Sequence, residues 1–485
     1  MNAPIRRLSA VVALLFASLL ISSTSISFVQ AASLRDQPGN RRTLLENYAR
    51  ERGPILVAGA PVARSTASKD ELRYQRRYTD GKLYAPLTGY YSFVYGAGSG
   101  VERTQDSLLS GSSDQLFYRR MVDLVTGRAP QGASVELTVL PAAQRAADAA
   151  LGSQKGAVVA LDPRTGAILA LVSHPTYDPG VLAGHDLGAV QKAYEGLLND
   201  PDDPLVDRAV AGDLYPPGST FKLVTAAAAL STGRYTETSE LPGPARLDLP
   251  QTSATLPNDF AGACGPNDKV TLLRALQISC NTAFGSLGIT LGGDAIRAQA
   301  AKFGFGERLR VPMSVTPSTV PQGMNAPQAA QAAIGQSDVR VTPLQMAMVS
   351  AGIANGGRVM TPYAVKTVRG PDLSVIEKAS PQELSRAVTP EVAAALTRMM
   401  QAVVTDGTGT RAQIPGVDVA GKSGTAQQGN GQPPHAWFTA FAPAGDPQVA
   451  VAVVIEDGGT AGNEALGGRL AAPIAKAVMQ AVLRR

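Results

Sequence analysis

Cysteine, histidine and tryptophan are scarce in this chain of 485 residues, which has two, three and one of them respectively. The cysteines Cys264 and Cys280 are too few for a disulfide scaffold, and they lack the paired Cys and His spacing of a zinc site. The histidines His174, His185 and His435 lie too far apart in the sequence to suggest a metal cluster. The composition therefore argues against metal chemistry.

Charge of one sign is also not concentrated in any block. The 44 basic and 39 acidic side chains alternate along the chain and leave a formal net charge of +5. Nucleic acid is therefore not an expected partner, since its binding needs a clustered basic surface. The chain is 44% hydrophobic and 17% charged, which is a globular composition, and it is longer than one compact core usually holds. We expect two domains with appendages.

The chain has one long uncharged run, at its N-terminus. Arg6 and Arg7 precede the run from Leu8 to Val29, which is near the roughly 20 residues that a membrane-spanning helix needs. A retained anchor would keep the basic pair in the cytoplasm and place everything after residue 32 outside. A cleaved signal peptide is the alternative, because Val29-Gln30-Ala31 is an acceptable cleavage site. Both interpretations export the protein.

Residues 33–152 have the pattern of a small α+β module. The sequence predicts a stalk helix over 41–52, a strand and turn over 55–62, a strand over 135–139 and a helix from Pro141 to about residue 151. The module contains no compact set of chemically active side chains. A pedestal or docking role is therefore its default interpretation.

Residues 153–485 begin with a strand hairpin pattern over 157–172 and end with strand patterns and an Ala-rich helix. This order predicts one sheet whose strands come from both ends of the domain, with helices between them. The predicted helices cover residues 219–230, 272–278, 295–303, 343–354 and 471–483, and the predicted C-terminal strands cover 417–420, 436–441 and 449–455.

A proline-fixed turn, Tyr215-Pro216-Pro217-Gly218, places Ser219 at the N-terminus of a predicted helix. Lys222 comes three residues later, so the helical repeat returns its side chain to the face of Ser219. A serine hydroxyl needs a base to take its proton, and a lysine can serve if desolvation or a nearby cation lowers its pKa. Alone, this Ser-x-x-Lys pattern is a weak indication of catalysis.

Two further motifs follow in order. Ser279-Cys280-Asn281 lies between two predicted helices, and Lys422-Ser423-Gly424-Thr425 is expected to finish a strand. The ordered trio is the pattern of serine β-lactamases and penicillin-binding proteins. The alternative interpretation is that the three motifs are a helix cap and two polar loops with no shared function. Their occurrence in this order would then require three coincidences.

With these motifs the chain resembles class B penicillin-binding proteins, and among them the penicillin-binding protein A group of actinobacteria. The resemblance covers essentially the whole chain. Its further segments are Lys155–Pro179, Ile334-Gly335-Gln336, Val341–Met346, Gly407-Thr408-Gly409-Thr410 and His435–Pro443.

The resemblance implies a peptidoglycan D,D-transpeptidase of α+β fold, which is inhibited covalently by penicillin and needs no cofactor. It implies a transpeptidase domain over 153–485, with an antiparallel sheet and a helical subdomain. A dimerisation or pedestal module over 33–152 would dock cell-wall synthesis and division proteins. It also favours a retained anchor in residues 1–32.

The resemblance further implies the roles of four catalytic side chains. Ser219 attacks the carbonyl of the penultimate D-Ala of a stem peptide, and Lys222 accepts the serine proton. Ser279 relays a proton toward the leaving D-Ala. Lys422 supplies positive potential that holds the terminal carboxylate and keeps Lys222 less basic.

Substrate binding is assigned by the same resemblance to Asn281, Ser423, Gly424 and Thr425. Asn281 would hydrogen-bond the donor peptide, and the hydroxyls of Ser423 and Thr425 would bind its terminal carboxylate. The backbone N–H groups of Ser219 and Thr425 would form the oxyanion hole. Ser423 replaces the threonine of many relatives, which should alter details of β-lactam recognition and leave the reaction type intact.

The two cysteines are expected to form a disulfide, because both Cys264 and Cys280 lie in the exported part of the chain. The bond would close a loop of about 16 residues and brace Ser279 and Asn281, which flank Cys280. Two buried free thiols are the alternative.

The sequence fits alternative functions less well. Gly416 to Ser423 formally matches a phosphate-binding loop, but that loop must open a helix and this segment is followed by a run rich in Gly, Gln and Pro. No serine has the flanking glycines of a hydrolase nucleophile elbow. A non-catalytic scaffold would be expected to lack Ser219, Lys222 or Lys422, and all three are present. A β-lactam sensor normally couples to several membrane spans or to a cytoplasmic relay, whereas only seven residues precede the expected anchor.

Overall fold

The computed structural model describes residues 2–30, 48, 50–116, 126, 131–212, 214–429 and 431–484. The stalk helix expected over 41–52 lies mostly outside them. The chain starts with helix α1 (Asn2–Thr24), which a π-helical turn extends to Val29. This apolar helix is long enough to cross a membrane, and none of its most hydrophobic stretch is buried against the protein.

The N-terminal part of the chain consists of short elements. In chain order they are β1 (Ile55–Val57), β2 (Ala60–Ala67), β3 (Tyr74–Tyr78), α2 (Gly81–Thr88), β4 (Tyr91–Ser92), β5 (Gly96–Ala97), α3 (Gly100–Thr104), α4 (Asp106–Leu109), β6 (Ser134–Leu137) and α5 (Pro141–Leu151).

The C-terminal part contains the long strands and most of the helices. Its elements are β7 (Gly156–Leu161), β8 (Ile168–His174), α6 (Leu187–Leu198), α7 (Lys222–Ser231), β9 (Glu240–Pro242), β10 (Arg246–Asp248), β11 (Thr255–Pro257), β12 (Lys269–Thr271), α8 (Leu272–Gln277), α9 (Asn281–Leu291), α10 (Gly293–Lys302), α11 (Ala326–Ala332), α12 (Pro343–Ala354), β13 (Arg358–Met360), β14 (Val365–Arg369), β15 (Val375–Lys378), β16 (Glu383–Arg386), α13 (Pro390–Asp406), β17 (Ala420–Ala426), β18 (His435–Ala442), β19 (Val449–Ile455) and α14 (Gly467–Leu483).

A five-stranded antiparallel sheet organises the C-terminal part, in the order β17-β18-β19-β7-β8. Its strands come from both ends of the predicted domain, which confirms the expected hairpin and the expected closing strands. Helices α5 and α14 pack together on one face, and α12 covers the other. Because both faces are covered, β18 and β19 are buried along their whole length.

A second, six-stranded sheet has the order β15-β14-β6-β1-β2-β3. Strand β6 pairs in parallel with β1 and antiparallel with β14. Strands β14 and β15 lie more than 200 residues further along the chain than β6, so this sheet joins the N-terminal module to a late segment. Sequence periodicity had not predicted this pairing.

A buried carboxylate ties the module together. Glu102 is 0% exposed and accepts from Arg52 Nε at 2.6 Å and from Arg76 Nε at 2.7 Å. Arg52 also contacts Asp106 at 2.6 Å, and Arg76 donates to the carbonyl of Gly53 at 2.8 Å. Burial opposes ionisation of Glu102, but the two guanidinium groups dominate and lower its pKa.

Local signals correctly marked the start of one predicted helix. Helix α12 covers the predicted residues, with Pro343 in its first turn and the Thr342 side chain accepting from Gln345 N. Helices α6, α9, α11 and α13 were not predicted.

The Lys422–Thr425 motif finishes a strand, as expected, because strand β17 runs from Ala420 to Ala426. The strand predicted over 417–420 was placed too early, and it overlaps β17 only at Ala420. The residues of β17 have low intrinsic strand propensity, and pairing with β18 decides their conformation. The segment therefore enters a strand instead of opening a helix, which removes the phosphate-loop interpretation.

Candidate active site

The turn before Ser219 is pressed against strand β17. Gly218 has a φ of 52°, and a Cβ on it would lie 2.5 Å from the carbonyl oxygen of Thr425. Its N–H donates to the carbonyl of Gly335 at 3.0 Å. Only glycine satisfies both the left-handed conformation and the close approach. This contact brings the Ser219 segment against the Lys422–Thr425 motif.

Ser219 lies in a 3-10 turn, Gly218–Phe221, that leads directly into α7. Residues three apart eclipse each other in such a turn, so the Ser219 and Lys222 side chains lie on the same side. Ser219 is buried, with 5% of its surface exposed. Its place at the N-terminus of α7 also puts it where the helix dipole favours a developing anion.

Lys222 is fully buried and donates to three oxygens. Its Nζ lies 2.8 Å from the carbonyl of Ser279, 3.3 Å from Ser279 Oγ and 2.7 Å from Asn281 Oδ1. Burial lowers the pKa of Lys222 to about 7, and the charge of Asp259 opposes that shift. A substantial fraction of this amine is therefore neutral near pH 7, which is the form that can accept a proton.

Lys422 approaches the same hydroxyl from β17. Its Nζ donates to Ser279 Oγ at 2.9 Å and to the carbonyl of Ser423 at 2.8 Å, and it is fully buried. Burial, and then the positive charge of Lys222, lower the pKa of Lys422, while Asp259 raises it. The Ser279 hydroxyl thus bridges two buried amines. Repulsion between them makes the state in which both are charged unfavourable.

Ser279 takes this position through an unusual backbone. It has a φ of 63° in the link between α8 and α9. The left-handed conformation costs a non-glycine residue of order 1–3 kcal/mol, and the surrounding structure must hold it in place. The result is that the Ser279 carbonyl faces Lys222 while its hydroxyl reaches both amines.

The other residues of the β17 motif line up beside Ser219. A Cβ on Gly424 would meet the Pro217 carbonyl, the Thr220 side chain and Trp437, each at 3.0 Å, so a larger residue would push the strand away from the turn. Ser423 Oγ lies 2.6 Å from Thr408 Oγ1. If Thr408 donates in this pair, the Ser423 hydroxyl keeps its own proton for an anionic ligand.

Thr408 was not among the predicted site residues. The sequence signal was present, because Thr408 belongs to the Gly407-Thr408-Gly409-Thr410 segment that contributes to the family resemblance. Its backbone N–H donates to the carbonyl of Gln277 at 3.3 Å, at the end of α8 and two residues before Ser279. Thr408 therefore links the Ser279 motif to the β17 motif.

Asn281 uses both ends of its amide inside the protein. Its Oδ1 accepts from Lys222, and its Nδ2 donates to the Pro257 carbonyl at 3.2 Å and to Asp259 Oδ1 at 3.0 Å. Asp259 was also missed by sequence reasoning. It lies in an irregular segment after β11, where no motif marks it, and only the tertiary contact reveals it.

Cys264 and Cys280 form the expected disulfide. The bond connects the segment that follows Asp259 to the residue between Ser279 and Asn281. It thus fastens the segment carrying Asp259 to the central motif of the site.

Trp437 and His435 have structural positions on β18. Trp437 is fully buried, as expected of a core residue, and its Nε1 donates to the carbonyl of Pro216 at 3.1 Å. His435 packs edge-on against Tyr215, with ring centroids 5.4 Å apart. Both therefore support the turn that precedes Ser219.

A five-stranded sheet that carries the Lys422 motif, beside a helical region that carries the other two motifs, defines the class of serine β-lactamases and penicillin-binding proteins. The chain belongs to the penicillin-binding protein transpeptidase family. Residues 156–480 match the penicillin-binding protein transpeptidase domain, and residues 52–135 match the penicillin-binding protein A dimerisation domain.

The similar proteins extend over the full chain. Peptidoglycan D,D-transpeptidase PbpA of Mycolicibacterium smegmatis is 45% identical, with 100% of this chain and 99% of the relative aligned. PbpA of Mycobacterium tuberculosis is 44% identical with the same coverage. The structure of penicillin-binding protein A from M. tuberculosis as a ceftriaxone acyl-enzyme superposes with a TM-score of 0.87 at 44% identity, over 90% of this chain and 100% of that one.

Proposed function

We propose that this protein is a peptidoglycan D,D-transpeptidase that works through an acyl-enzyme on Ser219. The observation that carries the proposal is the pair of buried lysines, Lys222 and Lys422, which both donate to Ser279 Oγ next to the Ser219 turn. The substrate class is supported by the full-length similarity to the PbpA transpeptidases. Reactivity with β-lactams is supported by the M. tuberculosis penicillin-binding protein A structure, which was solved as a penicillin G acyl-enzyme.

In the first step, Ser219 Oγ attacks the carbonyl carbon of the penultimate D-Ala, and its proton passes to neutral Lys222. The bond to the terminal D-Ala nitrogen then breaks. That nitrogen receives the proton through Ser279, whose hydroxyl contacts Lys222 at 3.3 Å. An ester on Ser219 and a free D-Ala result, and no oxidant or cofactor is consumed.

In the second step, the amine of another stem peptide attacks the ester carbonyl. Lys222 takes a proton from the attacking nitrogen, the bond to Ser219 Oγ breaks, and the serine oxygen recovers a proton. One peptide bond has been exchanged for another. The backbone N–H groups of Ser219 and Thr425 would stabilise the oxyanion in both steps.

Substrate binding would change the charge balance of the site. The terminal carboxylate of the donor peptide is expected at the hydroxyls of Ser423 and Thr425, next to Lys422. A negative charge there favours the ammonium form of Lys422, and that ammonium in turn keeps Lys222 neutral. To bind the donor peptide, Asn281 would exchange one of its present acceptors for a substrate carbonyl.

We also infer the cellular arrangement. Arg6 and Arg7 before the apolar helix favour a single-pass anchor in residues 1–32 with a cytoplasmic N-terminus. Residues 33–152 would form the dimerisation or pedestal module that docks cell-wall synthesis and division proteins, and 153–485 the extracytoplasmic transpeptidase domain. Such a small module leaves glycan polymerisation to another protein. Alkaline phosphatase fused to the C-terminus should be active, and an inactive fusion would contradict this topology.

Labelling of the full-length protein in detergent with a fluorescent penicillin tests the reaction. One label per chain is expected, Ser219→Ala should remain unlabelled, and the label should persist for many minutes because a transpeptidase spares its ester for an incoming amine. Ser231→Ala is a matched control, since Ser231 is an exposed serine at the other end of α7. Labelling that survives in Ser219→Ala would exclude the nucleophile.

The transfer step needs a peptide assay. With a D-Ala-D-Ala pentapeptide and an acceptor amine, released D-Ala should be matched by new amide product. Rapid hydrolysis of penicillin with no amide product would instead identify a β-lactamase.

A further inference from the structure

The segment that follows β11 lies across the start of α9. Asn258 fixes it there, because its Oδ1 accepts from the backbone N–H of Asn281 at 3.0 Å and of Thr282 at 3.1 Å. Its Nδ2 donates to the carbonyl of Pro244, which precedes β10, and to the carbonyl of Gly262 in its own segment, at 3.2 Å each. The Cys264–Cys280 disulfide holds the far end of the same segment. Asp259 is therefore held against the active site although it is an exposed residue.

The Asp259 carboxylate reaches the catalytic lysine through one intervening side chain. Asp259 Oδ1 accepts from Asn281 Nδ2 at 3.0 Å, and Asn281 Oδ1 accepts from Lys222 Nζ at 2.7 Å. A carboxylate accepts hydrogen bonds and does not donate them, so it selects the NH₂ end of the amide. The oxygen end must then face Lys222. With the amide reversed, the NH₂ group would point at an ammonium donor.

The same carboxylate is the counter-charge of the site. The charged groups that face Lys222 in the described part of the chain are Lys422 on β17 and Asp259 after β11, while Ser279 and Asn281 contribute neutral groups. Two positive charges close to one hydroxyl repel each other, which favours loss of a proton from one of the two lysines. The negative charge of Asp259 opposes this loss by raising the pKa of both Lys222 and Lys422.

We propose that Asp259 is a positioning residue for acyl transfer, one that fixes the orientation of the Asn281 amide and offsets part of the positive charge of the lysine pair. This inference rests on the proposed function, because it assigns Lys222 the role of base. It predicts two separable effects. One is on the orientation of the Asn281 amide, and the other is on the pH at which Lys222 becomes neutral.

The test is the rate of acylation by a fluorescent penicillin as a function of pH, using the full-length protein in detergent. Asp259→Asn removes the charge and keeps an oxygen that can accept from Asn281. The part of its pH–rate profile in which the acylation rate rises with pH, here called the acid limb, should move to lower pH. At pH 6 its acylation rate, taken as a fraction of its own plateau rate, should be about threefold higher than the same fraction in wild type. Its plateau should stay within about twofold of wild type.

Two further substitutions separate charge from orientation. Asp259→Ala removes both the charge and the oxygen that accepts from Asn281. Its acid limb should therefore also move to lower pH, and its plateau rate should fall about tenfold below that of wild type. Asp259→Glu keeps the charge, and its acid limb should stay at the wild-type pH while its plateau drops. Asp248→Asn is the matched control, because it removes an equal charge from an exposed position on β10, the strand that pairs with β11 just before Asp259.

Each outcome bears on the inference. Superimposable pH profiles for wild type and Asp259→Asn would overturn it, and so would an Asp259→Glu limb that moves as far as that of Asp259→Asn. A shift of the same size in Asp248→Asn would reduce the effect to general surface charge and also overturn it. Failure of the proposed function would look different, because wild type itself would then not be labelled at Ser219.

Discussion

In the proposed mechanism Lys222 must lose a proton before it can accept one from Ser219, so acylation should fall steeply as pH drops below 7. An exposed lysine would be almost entirely charged at pH 7, but burial brings the pKa of Lys222 to about 7. The protonation of Lys222 can therefore be changed in the wild-type protein by changing the pH alone. The penicillin carboxylate stays ionised over the range concerned, so the effect arises from the protein and not from the ligand.

The expected magnitude follows from this pKa. About half of Lys222 is neutral at pH 7, about one in eleven molecules at pH 6 and about one in a hundred at pH 5. The second-order rate constant of acylation should therefore decrease about tenfold per pH unit below pH 6.5 and level off above about pH 8. The assay is time-resolved labelling with fluorescent penicillin from pH 5 to 9 at constant ionic strength.

Two controls make the result specific. Thermal unfolding at each pH must show that the protein stays folded over the range. Lys222→Arg should show no acylation at any of these pH values, because a guanidinium does not lose its proton there. A flat profile, or a rise that is still continuing at pH 9 as for an exposed lysine, would refute the assignment of Lys222 as a buried base.

Three more predictions test other parts of the structure. Lys422→Arg preserves positive charge and should retain part of the acylation rate, whereas Lys222→Arg should retain none; equal loss in both would contradict their different roles. Glu102→Ala leaves two buried guanidinium groups without their shared carboxylate and should reduce the free energy of unfolding of the module by about 3–5 kcal/mol, which denaturant titration would measure. Cys264 and Cys280 should resist alkylation in denatured, unreduced protein, and mass spectrometry that finds two labelled thiols would disprove the disulfide.

Elements set by local signals could be predicted from the sequence. Helix α12 is an example, because a capping threonine and a first-turn proline fix its start whatever surrounds it. The β7–β8 hairpin is another, since two apolar runs flank a polar turn. Strand β17 is the opposite case. Ala420 to Ala426 is rich in small residues, and the pairing with β18 makes it a strand.

Long-range pairing accounts for the largest gap in the predicted fold. Strand β14 completes the sheet of the N-terminal module by pairing with β6, and Lys366 on β14 contacts Glu136 on β6 at 3.3 Å. Neither segment carries a pattern that identifies the other. A division of the chain at residue 152 describes sequence order well, but it does not describe which strands share a sheet.

The site residues that sequence reasoning missed differ from those it found in how they act. Ser219 and Lys222 belong to motifs because their chemistry needs a fixed spacing within one turn of helix. Thr408 and Asp259 act on groups distant in sequence, Thr408 on Ser423 and Asp259 on Asn281, and a contact of that kind constrains geometry without constraining spacing. A motif can therefore identify the nucleophile and its base. The contact through which Asp259 reaches that base becomes visible only when the chain is folded.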